Sequence, residues 1–547
     1  MEALLQHLVI LPILLPMATG ALLLLLQDRL RRLKMAINAV ATLLLLAVAI
    51  LLVIRAAGGG PPGPASVTTY PLGNWPVPFG IVLVMDRLSA LMVLLTAIIG
   101  VCAGTYSFAR WHAAGPSFHS LFQFLLMGLN GAFLTGDLFN LFVFFEVLLA
   151  ASYGLALHGS GVARVKAGLH YVAVNLAASS LFLIGAALIY GVTGTLNLAD
   201  LAAKVPLIAA GDRGLLEAGA GILGVAFLVK AAMWPLGFWL PTTYAAVGAP
   251  VAALFAIMTK VGIYAILRVS TIAFGEGAGA SADFGRPFLL YAGMASLAFG
   301  AIGVLASRTP GRMAGYCVLV SSGTLLAAMG FSSEAVTAGA LFYLVSSTLA
   351  VSAFFLVVEL LERVPIEGAD TQAVTIEAFG DDDDEDAGEV EEISVAIPRA
   401  LAVLSICFGL CVLLLAGLPP LTGFVAKFSL LSAMLNPAGL GENGPVAVST
   451  WWLVGLLIFS GFAALLALTR TGINTFWMTL EGHPAPVRVL EIVPVILLIG
   501  VCVAMTVMAG PIMNYLGAAA AELHAPAAHI ADVLQAPLTV PHEEIAR

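Results

Sequence analysis

Residues 35–54 run for twenty positions without one charged side chain. As a helix rising 1.5 Å per residue, such a run is about 30 Å long, the depth of a bilayer's hydrocarbon core. Similar runs recur along all 547 residues, and only 10% of the chain is charged, against roughly 25% in soluble domains. In lipid, backbone amides must find partners within their own segment. The pattern therefore predicts an all-α polytopic membrane protein with about fourteen transmembrane helices.

Splitting the runs at Gly, Pro and charge clusters predicts spans at 3–26, 34–54, 80–107, 116–135, 137–157 and 167–190 in the first part of the chain. The middle gives 215–237, 243–269, 288–306, 313–331 and 335–361, and the last part 398–436, 450–470 and 490–515. No basic n-region precedes the first run, which reads as a retained helix. With the N-terminus outside, thirteen basic residues fall in inner loops and seven on the outer side. The positive-inside rule then predicts that both termini lie outside, on the side opposite the cytoplasm.

The run Asp381–Glu392, DDDDEDAGEVEE, carries nine acidic and no basic residues. It reads as a solvated part of a cytoplasmic loop at 362–397, or else as a cation-attracting or partner-docking arm. Cys102, Cys317, Cys407, Cys411 and Cys502 are scattered in apolar runs and read as small packing residues. No P-loop, dinucleotide fingerprint, CxxC pair or HExxH is present. The expectation is no cofactor and no metal, with energy supplied by an ion gradient or a partner.

Four ionisable residues fall near the middle of predicted spans: Glu146, Lys230, Lys260 and Lys427. Intramembrane charges are costly and usually mark ion or proton paths. A structural ion pair accounts for Glu146 and one lysine, but a single carboxylate does not neutralise three. Lysine in water titrates near pH 10.4, and burial disfavours its charged form while a carboxylate restores it. A buried lysine that gains and loses such a partner is a proton switch.

Two spans are interrupted. Pro235 and Pro241 follow Lys230, whereas Pro419 and Pro420 precede Lys427. Broken helices at membrane depth, one in each half of a chain, point to a transport site between inverted repeats. By its place, Lys230 sits at the C-terminal end of a half-helix, where the dipole favours a cation. Lys427 sits on the N-terminal part of one, where the dipole opposes it. Asn175, Ser179, Ser180, Ser321, Ser322, Thr324, Ser346, Ser347 and Thr348 on neighbouring spans read either as helix-packing polar residues or as a water-holding relay. His170 reads as a packing residue or a proton uptake group. Asp86, Arg87, Asp137 and Glu359 read as interfacial anchors.

Three stretches, NLFVFFEVLLAASYGL, LVKAAMWPLGFWLPTTYAAVGAPVAALFAIMTKVGIYAILR and AGLPPLTGFVAKF, resemble the proton-translocating antiporter-like subunits shared by respiratory complex I and Mrp-type cation/proton antiporters. Within that superfamily the chain is most similar to the D-type subunits of Mrp (Mnh, Pha) antiporters. The resemblance implies two inverted five-helix repeats at spans 4–8 and 9–13, within 111–270 and 285–472. Helices 1–3 would occupy 1–110, and helix 14 with a periplasmic tail 485–547. It implies that Glu146 pairs with Lys230, that Lys260 relays and that Lys427 serves the exit half-channel. It implies partners of the A/B, C, E, F and G subunit types, transport of protons with Na+ or K+, and no nucleic acid. A proton-pumping subunit of complex I or of a membrane hydrogenase is the alternative, and a structural subunit with vestigial charges a third reading.

Overall fold

A computed structural model describes residues 7–58, 67–115, 117–363, 399–439, 444–476 and 487–536. The acidic run Asp381–Glu392 lies outside the described residues, as does the tail after 536.

Helices α1 (Leu11–Leu25) and α2 (Arg31–Ala57) lead to an antiparallel hairpin of β1 (Thr68–Pro71) and β2 (Val82–Met85). Then come α3 (Arg87–Ser107), α4 (Phe118–Leu134), α5 (Leu138–Ala156), α6 (Val162–Thr193) and the short α7 (Leu198–Lys204). The first half closes with α8 (Ala210–Lys230), α9 (Leu240–Ala246) and α10 (Ala249–Ile272). The second half holds α11 (Arg286–Ala306), α12 (Pro310–Met329), α13 (Glu334–Glu362), α14 (Arg399–Ala416) and α15 (Thr422–Leu435). The last helices are α16 (Val448–Phe476), α17 (Val489–Val507), α18 (Ala509–His524) and α19 (Ala527–Leu534).

Every expected span contains a helix, and ten described helices are long and apolar enough to cross a membrane. The boundaries differ where local chemistry overrides hydropathy. The third span begins at Arg87, because Val82–Met85 is a strand and Asp86 caps the helix in a capping box with Ser89. The last expected span divides at Met508 into α17 and α18.

The core lies around α10 and α13, whose apolar windows are wholly buried. Opposite charges hold the two ends of α10. At its N-terminus the Glu359 carboxylate accepts the Ala249 N–H at 3.0 Å. Near its C-terminus Arg268 pairs with Asp86 at 2.5 Å, and both residues are buried. A carboxylate at the first turn and a guanidinium near the last both complement the helix dipole.

Candidate functional site

Both chain breaks expected from the prolines are present. Helix α8 stops at Lys230, and the turn before α9 contains Pro235. Its exposed backbone is stitched to α11, where the Ser296 hydroxyl accepts the Trp234 N–H at 2.9 Å. Helix α14 stops at Ala416. Gly417 takes φ +77°, and the Leu418 N–H bonds back to the Leu413 carbonyl, a Schellman-type ending. Pro419 and Pro420 follow and cannot continue a helix.

The three lysines end on neutral acceptors. Lys230 Nζ donates to Asn175 Oδ1 on α6 at 3.1 Å and lies over the Phe145 ring. Lys260, 1% exposed at the middle of α10, donates to Ser321 Oγ on α12 at 2.8 Å. Ser321 in turn shares a 2.8 Å hydrogen bond with Ser347 on α13. Lys427 donates to the Ala416 carbonyl at 2.9 Å. An ammonium buried on neutral oxygens bears a larger charging cost than one facing a carboxylate.

Glu146 and Lys230 make no direct ion pair, although Glu146 interacts with the lysine electrostatically across the gap. Glu146 is half-buried on α5. Its Oε1 is shielded from solvent and has no hydrogen-bond partner. The direct pair implied by the resemblance is thus open here, and Asn175 occupies the lysine instead.

The dipole expectation for Lys427 is reversed. Its side chain leans back toward the start of α15, as helical side chains do. The amine thereby crosses the break and meets the C-terminal carbonyl of α14, where the dipole favours a cation. Glycines make the room. A Cβ on Gly417 would lie 3.1 Å from Lys427 Nζ, and one on Gly461 of α16 would lie 3.1 Å from the same atom.

The lysines lie on a connected set of helices. Gly262, two residues beyond Lys260, lets α10 close on α8: a Cβ there would meet Lys230 Cβ at 3.0 Å and the Ala231 nitrogen at 2.7 Å. A cavity of about 20 Å³, room for one water, is lined by Lys230, Asn175 and Thr259, the last being the neighbour of Lys260. On α12, Ser321 accepts from Lys260, and buried Cys317 lies within electrostatic range of Lys427. Those two residues are four apart and share one helix face.

Other expected relay residues divide. Ser179 and Ser322 are buried with hydroxyls that have no partner, the kind of polar group that calls for water. Thr324 donates to the Val320 carbonyl of its own helix and also bonds the Tyr343 hydroxyl on α13. His170 is exposed on α6. Asp137 caps α5 by accepting the Asn140 N–H.

Sequence reasoning missed the role of Glu359. Glu359 caps α10, accepts from Trp111 Nε1 at 2.8 Å and pairs with Arg363, which also holds Glu491 at 2.5 Å. Its four-residue spacing from Arg363 was the only local signal.

The chain matches the family described as NADH:quinone oxidoreductase/Mrp antiporter, TM, over residues 135–440. It is 58% identical over 533 residues to the D-type subunit of a probable K(+)/H(+) antiporter in Rhizobium meliloti (strain 1021), covering 97% of this chain and 98% of that protein. The chain belongs to the family of D-type antiporter subunits. A second D-type relative, from the Na(+)/H(+) antiporter of Alkalihalophilus pseudofirmus, is 35% identical over 97% of this chain and 100% of its own length. The solved Mrp complex from Dietzia sp. DQ12-45-1b contains a chain with the same fold, at TM-score 0.79, 23% identity and 97% and 99% coverage of the two chains. Respiratory complex I from Thermus thermophilus contains another, at TM-score 0.70, 22% identity and 94% and 99% coverage. At these identities the likeness is one of fold. Like its D-type relatives, the chain is a multi-pass membrane protein.

Proposed function

We propose that this chain is the proton-translocating D-type component of a multisubunit monovalent cation/proton antiporter, and that protons pass along Lys230, Lys260 and Lys427. The observation that carries this reading is the set of three buried lysines on neutral acceptors, linked through Gly262, Ser321 and the shared face of α12. Each ammonium is charged at a cost, so a change in one neighbour moves the balance at the next. Glu146 supplies that change: with one oxygen unpartnered, it gates transfer by approaching Lys230 or withdrawing. Rebuilding one buried pair alters the balance by several kcal/mol, on the scale of about 1.4 kcal/mol per tenfold.

The chain works as one component of a transporter, not as an enzyme. It sits in the bacterial cytoplasmic membrane with both termini outside, beside partners of the A/B, C, E, F and G types. Its proton-carrying parts are two inverted repeats at 111–270 and 285–472. Potassium is the proposed exchanged cation, because the 58% identical relative belongs to a probable K(+)/H(+) antiporter. The test is cation-driven proton movement in everted vesicles from antiporter-deficient cells expressing the full set of subunits. A pH-sensitive dye should respond to K+ and lose that response when only this chain is omitted. A response that persists without this chain overturns the proposal.

A further inference from the structure

A second polar site lies apart from the lysine line. A cavity of about 270 Å³ opens between the start of α2 and the start of α4. Arg31, Lys34, His112 and His119 line it, together with Phe118 and Ser120 from the first turn of α4. Among the described residues that line it there is no carboxylate. The groups that act electrostatically on His119 are His112, Lys34 and His158, all basic.

His119 points to a ligand. It is only 5% exposed, yet neither ring nitrogen has a hydrogen-bond partner. Its ring lies 6.1 Å from that of His112, with planes 24° apart. A buried imidazole with two unmet nitrogens is destabilising unless something fills the space beside it. The N-terminal turn of α4, a helix of 17 residues, offers backbone N–H groups to the same cavity, and such turns favour oxyanions.

We propose that this cavity binds a phosphate oxyanion, held by Arg31, His119 and the first turn of α4. The surroundings favour a phospholipid headgroup as its source. Leu30 and Leu33 beside Arg31 are 45% and 46% exposed, and they continue into the exposed apolar face of α2 at Val40, Leu43 and Leu44. Acyl chains would lie along that face while the phosphate enters the cavity. In the orientation proposed above, this is the cytoplasmic leaflet, where basic pockets between spans recruit anionic lipids.

The test uses the assembled, detergent-purified antiporter complex, stripped of lipid and titrated with phosphatidylglycerol or, separately, with inorganic phosphate. Binding is read by native mass spectrometry. Arg31 is exposed, so Arg31→Ala leaves the fold intact; His119→Gln is the second variant. The expected result is one saturable anionic lipid that each variant weakens at least tenfold, with zwitterionic phosphatidylcholine bound equally by all forms. Saturable binding of inorganic phosphate without lipid, lost in both variants, keeps the oxyanion site and assigns it to free phosphate. Equal binding by wild type and both variants, or no saturable binding of either probe, overturns the proposal.

Discussion

Lys427 reaches back across the break in its own span and donates to the Ala416 carbonyl at 2.9 Å. The amine belongs to α15, but the charge sits on the end of α14. A break of this kind lets one residue act at the terminus of a helix it is not part of, and places a titratable group where backbone carbonyls are free to receive it.

That geometry predicts the effect of filling Gly461. A Cβ there would lie 2.6 Å from the Ala416 carbonyl oxygen and 3.1 Å from Lys427 Nζ, so the hydrogen bond must lengthen or move. Gly461→Ala should leave the complex assembled and slow exchange by about 10–100-fold, the scale set by ångström misplacement of a reacting group. Initial rates in everted vesicles, with assembly checked by native gel, decide it. Undiminished exchange would show that the contact is incidental.

Ser321 is the acceptor for Lys260 and the donor or acceptor to Ser347. Ser321→Ala removes both bonds and leaves a buried amine without its acceptor, at a cost of about 1–3 kcal/mol. Exchange should fall at least tenfold. Ser347→Ala, which removes the bond to Ser321 and a local one to the Leu344 carbonyl but keeps Lys260 satisfied, should fall less. A larger loss in Ser347→Ala would place the relay on α13.

Much of this was legible in advance. Twenty-residue apolar runs, two proline breaks and four lone charges were enough to place the spans, the interruptions and the lysines. What the sequence did not carry was direction in space. The side chain of Lys427 could not be assigned to the preceding half-helix from its position after Pro420, because reach across a break is tertiary. Glu359 looked interfacial because its partner, the Ala249 N–H, is 110 residues away. The strand at Val82–Met85 was hidden inside an apolar run, since hydropathy reads the same for a buried strand and a helix.

The C-terminal end of α10 carries a prediction about pH. His529 on α19, outside the spans, is held down to about 4 by burial and by Arg268, with Asp86 opposing. Below its ordinary value near 6.5 the unfolded state binds a proton that the docked state does not. Docking of α19 should therefore be fully stable above about pH 6.5, weaken as pH falls toward 4, and change no further below that. The full loss is on the order of 3 kcal/mol. Hydrogen exchange of α19, corrected for intrinsic rate, should show this, and His529→Gln should remove it. A profile unchanged in that variant would assign the dependence to another group.

Asp86 behaves in the opposite sense. Burial alone would raise its carboxyl, but Arg268 overcomes this and holds it below the usual carboxylate range. Its contribution is present above the ordinary carboxylate value and is lost only in strong acid. Asp86→Asn leaves Arg268 buried without a charge partner and should cost about 3–5 kcal/mol. The amount of assembled complex on native gels should drop by a similar factor throughout about pH 5 to 9. A loss confined to one end of that range would contradict the pairing.

The central claim is that protons pass along the buried lysines under the control of Glu146. The most direct measurement is cation-driven proton exchange in everted vesicles carrying Glu146→Gln, Lys230→Ala or Lys427→Ala in the complete complex, with assembly verified for each. Complexes that assemble and do not exchange are the expected result. Assembled complexes that exchange at the wild-type rate would make these charges structural and move the proton path to another component of the complex.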